Sequence, residues 1–402
     1  MYKMLKAPDV AIRKVRIFLF ESIMRPLLKL FPRKHNERNI LFNCSCALMA
    51  GHLSDIWRVL KVDPRLNIFL YDSFRNDVVS KDYDYIYKTL PMARVKRRWA
   101  YVRQWDLMIT VDHSRKGLLD KTRCPILRAR HGVASGKVVA GTTTTFGPKM
   151  YTDKNEIRYS KMFAVSHKNK SLAVGMNSEF NDIVKVVGDL RADKMLAMNS
   201  DRELIRQRLG FKAEEKVVFV LSTWGPDALF AKMGDVFLAE ARKLIPNYRF
   251  VLSAHPHQYI PNSNGERVWG EYVRTQSQYG FDIREPQDDW MPFMVACDVI
   301  FTDQTSLAVH GALLKKPYVY SSICEKAITE GFLPWRLREI SPKINDKATN
   351  LGACLNEALT AYPYEKLAKI AEDVNSYPGR AAERIREEIY EMLKLDLKEY
   401  NA

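Results

Sequence analysis

At 402 residues the chain exceeds what one ordinary hydrophobic core organises, and 47% hydrophobic with 27% charged residues excludes a disordered or fibrous polypeptide. Lys and Arg number 63 against 47 Asp and Glu, and the resulting charge of +16 calls for an anionic partner: nucleic acid, an anionic membrane surface or a phosphorylated substrate. The six cysteines form no CxxC pair, so they read as reduced, buried thiols of a cytosolic protein and offer no zinc site.

Residues 1–35 carry a broad apolar face, including Phe20, Ile23, Met24 and Leu27, around a narrow stripe of Lys14, Glu21, Arg25 and Lys29. Glu21 and Arg25 interrupt the run too soon for a secretory signal or a transmembrane span. The pattern predicts an amphipathic helix, kinked at Pro26, that either lies among lipid headgroups, the favoured reading, or packs on the protein's own body.

"NILFNCS", "GHLSDIWRVLKV" and "NIFLYDS" then read as strand, helix and strand. Further short apolar strands follow in "DLMITVD", "PILRARHG", "KMFAVS" and "IVKVVG". "ARVKRRWAYVRQW" is a basic helix, read as a solvated face with Trp99 and Trp105 in the core, or as a membrane contact, rather than as a nucleic-acid surface. A charged helical passage over 192–215 leads to a second set of strands, "KVVFVLSTW", "YRFVLSAHPH", "CDVIFTD" and "KPYVYSS". The expected organisation is a membrane-associating segment over 1–35, one Rossmann-like α/β domain over 36–195, a second over 196–375 and a helical tail over 376–402.

Four strand ends are polar. His131 follows the strand of "LRARHGVASGK", and His255 and His257 follow that of "FVLSAHPHQ". Ser222, Thr223 and Trp224 end "VLSTW", and Asp303, Thr305 and Ser306 end "FTDQTS". Ligands of open parallel sheets bind at such carboxyl ends. A histidine past a strand is more often a satisfied polar residue than a catalyst, and Asp303, Thr305 or Ser306 could simply cap the next helix. The "DQTS" turn also offers two hydroxyls and two free backbone N–H groups to a phosphate. No GxGxxG and no GKS or GKT loop is present, which argues against ordinary NAD binding and a P-loop ATPase.

"LSTW", "SAHPH" and "CDVIFTDQTSLAVHGALLKKPYVY", in this order, resemble the CDP-glycerol glycerophosphotransferase family, whose members build teichoic acids and capsule linkers. "HGVASGK" is similar to the family's His-Gly-Thr loop, and "VVGDLRAD" to its Gly-Xaa-Xaa-Arg/Asn-Xaa-Asp segment. Val133 departs from the usual Thr, "ASGK" from Pro-Leu-Lys, and His310 stands where Asp is common.

The resemblance implies a GT-B fold, with two Rossmann-like domains facing across a cleft, and within that family the length of 402 residues favours a primase-like or linker enzyme over the longer polymerases. It implies transfer of glycerol phosphate from a CDP-activated polyol to a lipid-linked or glycan acceptor, with release of CMP. In that reading His131 is the general base and His257 is also catalytic. His255, His257, Asp303, Thr305 and Ser306 hold the donor phosphates, Asp303 by orienting their turn, and Ser222, Thr223 and Trp224 hold the nucleotide. No cofactor or metal is indicated beyond the substrate, nucleic acid is not a partner, and the expected place is the cytoplasmic face of the cell membrane. The rival readings are a GT-B glycosyltransferase using a nucleotide sugar, and a non-enzymatic basic protein that binds membranes or nucleic acid.

Overall fold

A computed structural model describes residues 22–24, 36–44, 46–72, 83–111, 119, 123–130, 138–139, 142–143, 150–261, 267–322 and 329–397. The amphipathic segment expected over 1–35 lies outside the described residues apart from a helical turn at 22–24. No helix among the described residues is long and apolar enough to cross a membrane.

The first half supplies β1 (Arg38–Cys44), β2 (Leu66–Asp72), β3 (Ala93–Arg94), β4 (Leu107–Val111) and β5 (Ile126–Ala129). A small ribbon, β6 (Val138–Val139) with β7 (Thr142–Thr143), precedes β8 (Lys161–Ala164) and β9 (Val184–Val186). The second half supplies β10 (Val217–Ser222), β11 (Arg249–Ala254), β12 (Asp282–Ile283), β13 (Val299–Thr302) and β14 (Tyr318–Tyr320).

These strands build two parallel sheets, in the orders β3-β2-β1-β4-β5-β8-β9 and β12-β11-β10-β13-β14. The near-continuous apolar runs are explained by cover on both faces: every residue of β4, β5, β8, β10 and β13 is buried. Each sheet winds outward from a central strand on one side and then restarts on the other. The strand order therefore reverses between β1 and β4 in one sheet and between β10 and β13 in the other.

Helices pack on these faces through apolar residues three and four apart. In α1 (Ala47–Leu60), Ala50, Leu53, Ile56 and Leu60 are buried; α2 (Leu190–Met198) buries Ala192 and Met195. In α3 (Leu229–Lys243) the buried set is Leu229, Phe230, Met233, Phe237, Leu238 and Ala241. Trp105 is in the first half's core as expected, whereas Trp99 is 40% exposed. Trp99 lies in a helix of only six residues, Arg97–Val102, whose buried residues are Ala100 and Val102.

The charged tail does not stand apart. Its helix α5, after an α4 at Leu351–Thr360, spans Ala381–Leu393 and packs on the first sheet. Ile385, Ile389, Tyr390 and Leu393 join the core of Ile40, Phe42 and Leu53. Arg38 Nε donates to the Leu393 carbonyl at 2.9 Å, and Lys161 pairs with Glu388 and Glu391.

Candidate active site

In the second sheet three neighbouring strands end level with one another: Ser222 of β10 lies beside Ala254 of β11, and Leu221 beside Thr302 of β13. Thr223, His255 and Asp303 follow directly, at the point where the strand order reverses, which is where ligands of such sheets bind.

Asp303 is fully buried and organises this edge from within. Its Oδ1 accepts from the amides of Gln304 at 2.5 Å and Thr305 at 3.0 Å. Its Oδ2 accepts from the amides of Thr223 at 2.8 Å and Leu229 at 2.9 Å and from the Ser222 hydroxyl at 3.2 Å. One carboxylate thus ties the ends of β10 and β13 to the first turn of α3. Burial pushes its pKa up, and the amides of Leu229, Thr223 and Gln304 and the Ser222 hydroxyl hold that rise back.

Asp303 has no oxygen to spare for a donor, and a buried carboxylate would repel phosphate. The Ser222 hydroxyl is likewise consumed, donating to Asp303 and accepting from the Phe230 amide and Gln258 Nε2. The free N–H groups also move along the chain. Those of Gln304 and Thr305 are taken by Asp303, while those of Ser306 and Leu307 form no hydrogen bond among the described residues. The helix they open, Ser306–Leu314, is 3-10 rather than α. It sits close on β13: a Cβ at Gly311 would lie 2.0 Å from the Ile300 side chain. Thr305 and Ser306 are half-buried, and their hydroxyls form no hydrogen bond among the described residues.

Past the ends of β10 and β11, on the same sheet edge, stand three aromatic groups. The rings of His255 and His257 stack at 5.3 Å with 9° between planes, and Trp224 lies 5.3 Å from His257 and 6.4 Å from His255. His255 Nδ1 accepts from the His257 amide at 3.1 Å, which leaves Nε2 to carry the ring's proton and donate. His257 is exposed and Trp224 is 37% exposed, whereas Ser222 and Thr223 are each 4% exposed. Of the three residues expected at the nucleotide, only Trp224 presents an open surface. Gln258 was missed by the sequence reading; it is buried, and no signal in "SAHPHQ" marks it as a partner of Ser222.

His131 lies outside the described residues, which reach Arg130 at the exit of β5. Arg130 lines a small cavity with His52 and Asp55 of α1, Asp189 and Arg191 of α2, and apolar residues that include Phe163 and Ile385. Asp189 caps α2, accepting from the Arg191 amide at 2.9 Å, and Arg191 Nε pairs with Asp55 at 2.9 Å. The preceding Gly188 has φ +86°, and a Cβ there would press on the Tyr377 carbonyl at 3.2 Å. Asp193 accepts from Gly379 and Ala381 at 2.7 and 2.9 Å, fixing the returning chain. "VVGDLRAD" is therefore the junction of the two halves. Among the described residues no group of three His, Cys, Asp or Glu side chains is placed to hold a metal ion.

No family model and no curated protein matches the sequence. Solved structures do. The wall teichoic acid polymerase TagF superposes with a TM-score of 0.63 at 18% identity, covering 96% of this chain and 97% of that one. A TagF variant soaked with CDPG gives 0.61 at 16% identity, with 96% of each chain covered. S. aureus MnaA with UDP gives 0.58 at 15% identity, over 90% of this chain and 98% of that chain. Because this chain spans nearly all of the TagF chain, its length does not separate a primase-like enzyme from a polymerase. The two parallel sheets, each with its own reversal of strand order, give this chain the GT-B fold shared by TagF and MnaA.

Proposed function

We propose that the chain transfers glycerol phosphate from CDP-glycerol to a hydroxyl of a lipid-linked or glycan acceptor in cell-surface polymer synthesis. The observation that carries this reading is the open turn at Thr305 and Ser306 after β13, on the same sheet edge as the stacked His255 and His257 after β11. Its unused hydroxyls and N–H groups are donors suited to a diphosphate. In the reaction the acceptor oxygen bonds to the β-phosphorus, the bond from that phosphorus to the bridging oxygen breaks, and CMP leaves with the electron pair. His131 accepts the hydroxyl proton. The donors around the turn, and His257 when protonated, offset charge building on the phosphoryl oxygens, the main task of a protein in phosphoryl transfer. Trp224 packs against the nucleotide. The resemblance in sequence to the glycerophosphotransferases and the likeness in fold to TagF both support the reading.

MnaA, solved with UDP on the same fold, supports one alternative, a nucleotide-sugar donor. Purified protein incubated with radiolabelled CDP-glycerol, and separately with UDP- and CMP-sugars, decides between them. Release of CMP from CDP-glycerol alone is expected. Turnover of a nucleotide sugar with CDP-glycerol inert would overturn the proposal.

A further inference from the structure

The cavity between α1 and α2 lies at the carboxyl edge of the first sheet. Ala129 ends β5, Val165 and Val187 come directly after β8 and β9, and all three line it. Asp55 reaches it from α1, and Asp189 and Arg191 reach it from the start of α2. Its volume of about 50 Å³ has room for roughly three to five water molecules, and so for one phosphate group.

Arg191 is the group in this cavity that the protein leaves unfinished. Its Nε donates to Asp55 Oδ2 at 2.9 Å, which orients the guanidinium. Nη1 and Nη2 form no hydrogen bond among the described residues, and both atoms stay accessible. The two carboxylates of the cavity are already engaged. Asp55 Oδ1 accepts from Arg58 Nη1 at 3.1 Å, and Asp189 meets the Arg191 amide and the His310 ring. An oriented guanidinium with two open N–H edges matches an oxyanion in two parallel hydrogen bonds. The backbone of α1 makes space for that fork: a Cβ on Gly51 would lie 2.5 Å from Arg191 Nη2. Glycine inside a helix is otherwise unfavourable relative to alanine.

The cavity is also tied to the donor turn. Asp189 meets His310 of the Ser306–Leu314 helix, and His310 stands about 8 Å along that helix from Ser306. We propose that the Arg191 fork binds a phosphate group of the acceptor, and that Gly51 is the position that admits it. The chemistry recognised is a hydroxyl close to a phosphate, as in a glycerol phosphate unit. This rests on the transferase reading, which leaves the donor to the second sheet.

The test is calorimetry of the full chain with sn-glycerol 3-phosphate as probe, in saturating CDP so that the donor turn is filled. The wild type is expected to bind the probe. Gly51→Ala sets a methyl group against the fork without changing any charge. The end of a long side chain moves aside readily, so this variant should hold or raise the melting temperature while binding the probe at least tenfold more weakly. Arg191→Lys keeps the charge and a partner for Asp55 but loses the fork, and it too should weaken the probe at least tenfold. Both variants should keep wild-type affinity for CDP. Wild-type probe affinity in either variant overturns the proposal, even if Arg191→Lys melts earlier, because the pair with Asp55 would then be structural only. No probe binding by a wild type that binds CDP, or probe binding that CDP displaces, overturns it as well. If CDP itself fails to bind the wild type, the donor reading falls, and the same comparison made without CDP still decides the phosphate site.

Discussion

His310 Nε2 lies 3.1 Å from Asp189 Oδ2, joining the 3-10 helix after β13 to the first turn of α2, and so one half of the molecule to the other. The opposite ring nitrogen, Nδ1, faces the Leu307 carbonyl at 3.2 Å. Which ring nitrogen carries the hydrogen depends on the tautomer. His310 is buried and Asp189 half-buried, and removing the ring leaves Asp189 with the Arg191 amide alone among these partners.

His310→Ala should therefore destabilise the protein by about 1–3 kcal/mol, the usual cost of leaving a buried polar group short of a hydrogen bond. Urea unfolding of His310→Ala, Asp189→Asn and the double variant measures the coupling. Additive losses would mean that the two residues act separately.

The same pair sets a pH dependence. Burial raises the Asp189 pKa, but His310 and the Arg191 amide together hold it below the ordinary carboxylate value. A depressed folded pKa contributes stability above the unfolded value of about 3.9, and that contribution is lost as pH falls through the folded pKa. Asp303 is shifted the other way, so the measurement is the difference between wild type and Asp189→Asn. That difference should shrink as the pH drops below about 4, and a constant difference from pH 7 to 3 would remove the assignment.

Asp303→Asn keeps the shape of the side chain but turns a donor towards amides that need acceptors. Leaving a buried donor unsatisfied costs about 1–3 kcal/mol. Because Asp303 also shapes the turn ahead of Ser306, CDP affinity should fall with stability. Thermal melting and calorimetry with CDP read the two effects, and unchanged CDP affinity in a destabilised variant would separate Asp303 from the donor site.

Ser306→Ala and Thr305→Ala should weaken CDP-glycerol binding with little effect on melting, since their hydroxyls form no hydrogen bond among the described residues. Loss of a hydrogen bond to a charged group is worth about 1.5–3 kcal/mol, or roughly tenfold or more in affinity. Wild-type affinity in both variants would leave the hydroxyls without a role at the donor.

His131→Ala should lower turnover by about 10²–10⁴-fold with CDP affinity nearly unchanged, the pattern of a lost general base. His257→Ala should weaken CDP binding as well. Steady-state rates for His131→Asn complete the set: an amide can hold a loop but cannot take a proton near neutral pH, so near-normal turnover in that variant ends the catalytic role.

Residues 1–35 should carry the protein to anionic vesicles. Sedimentation with phosphatidylglycerol liposomes is expected to separate the full chain from one lacking this segment, with salt weakening the full chain's binding. Equal binding by both would refute it.

The sequence made the two parallel sheets legible because their strands are apolar on both faces, as in "NILFNCS" and "KVVFVLSTW". It also marked the polar strand ends. It did not show which of those groups the protein consumes itself. Asp303 meets Ser222 and Thr223 from about 80 positions away, and composition at a strand end cannot tell an oxygen aimed inward from one left open. Where the helical tail packs was not legible for a related reason. Its charge pattern describes an exposed helix face, while the cover that Ile385 and Ile389 give to β1 depends on where the chain returns.

That return governs how the molecule can be made. β1 ends at Cys44, yet its core is closed by residues that emerge from the ribosome some 340 positions later. During synthesis the first sheet must wait, with one face lacking its last helix, until the second sheet has been translated. A stop anywhere in the second half would strand the first half unfinished, so two separately expressed halves divided between the sheets should depend on each other for solubility.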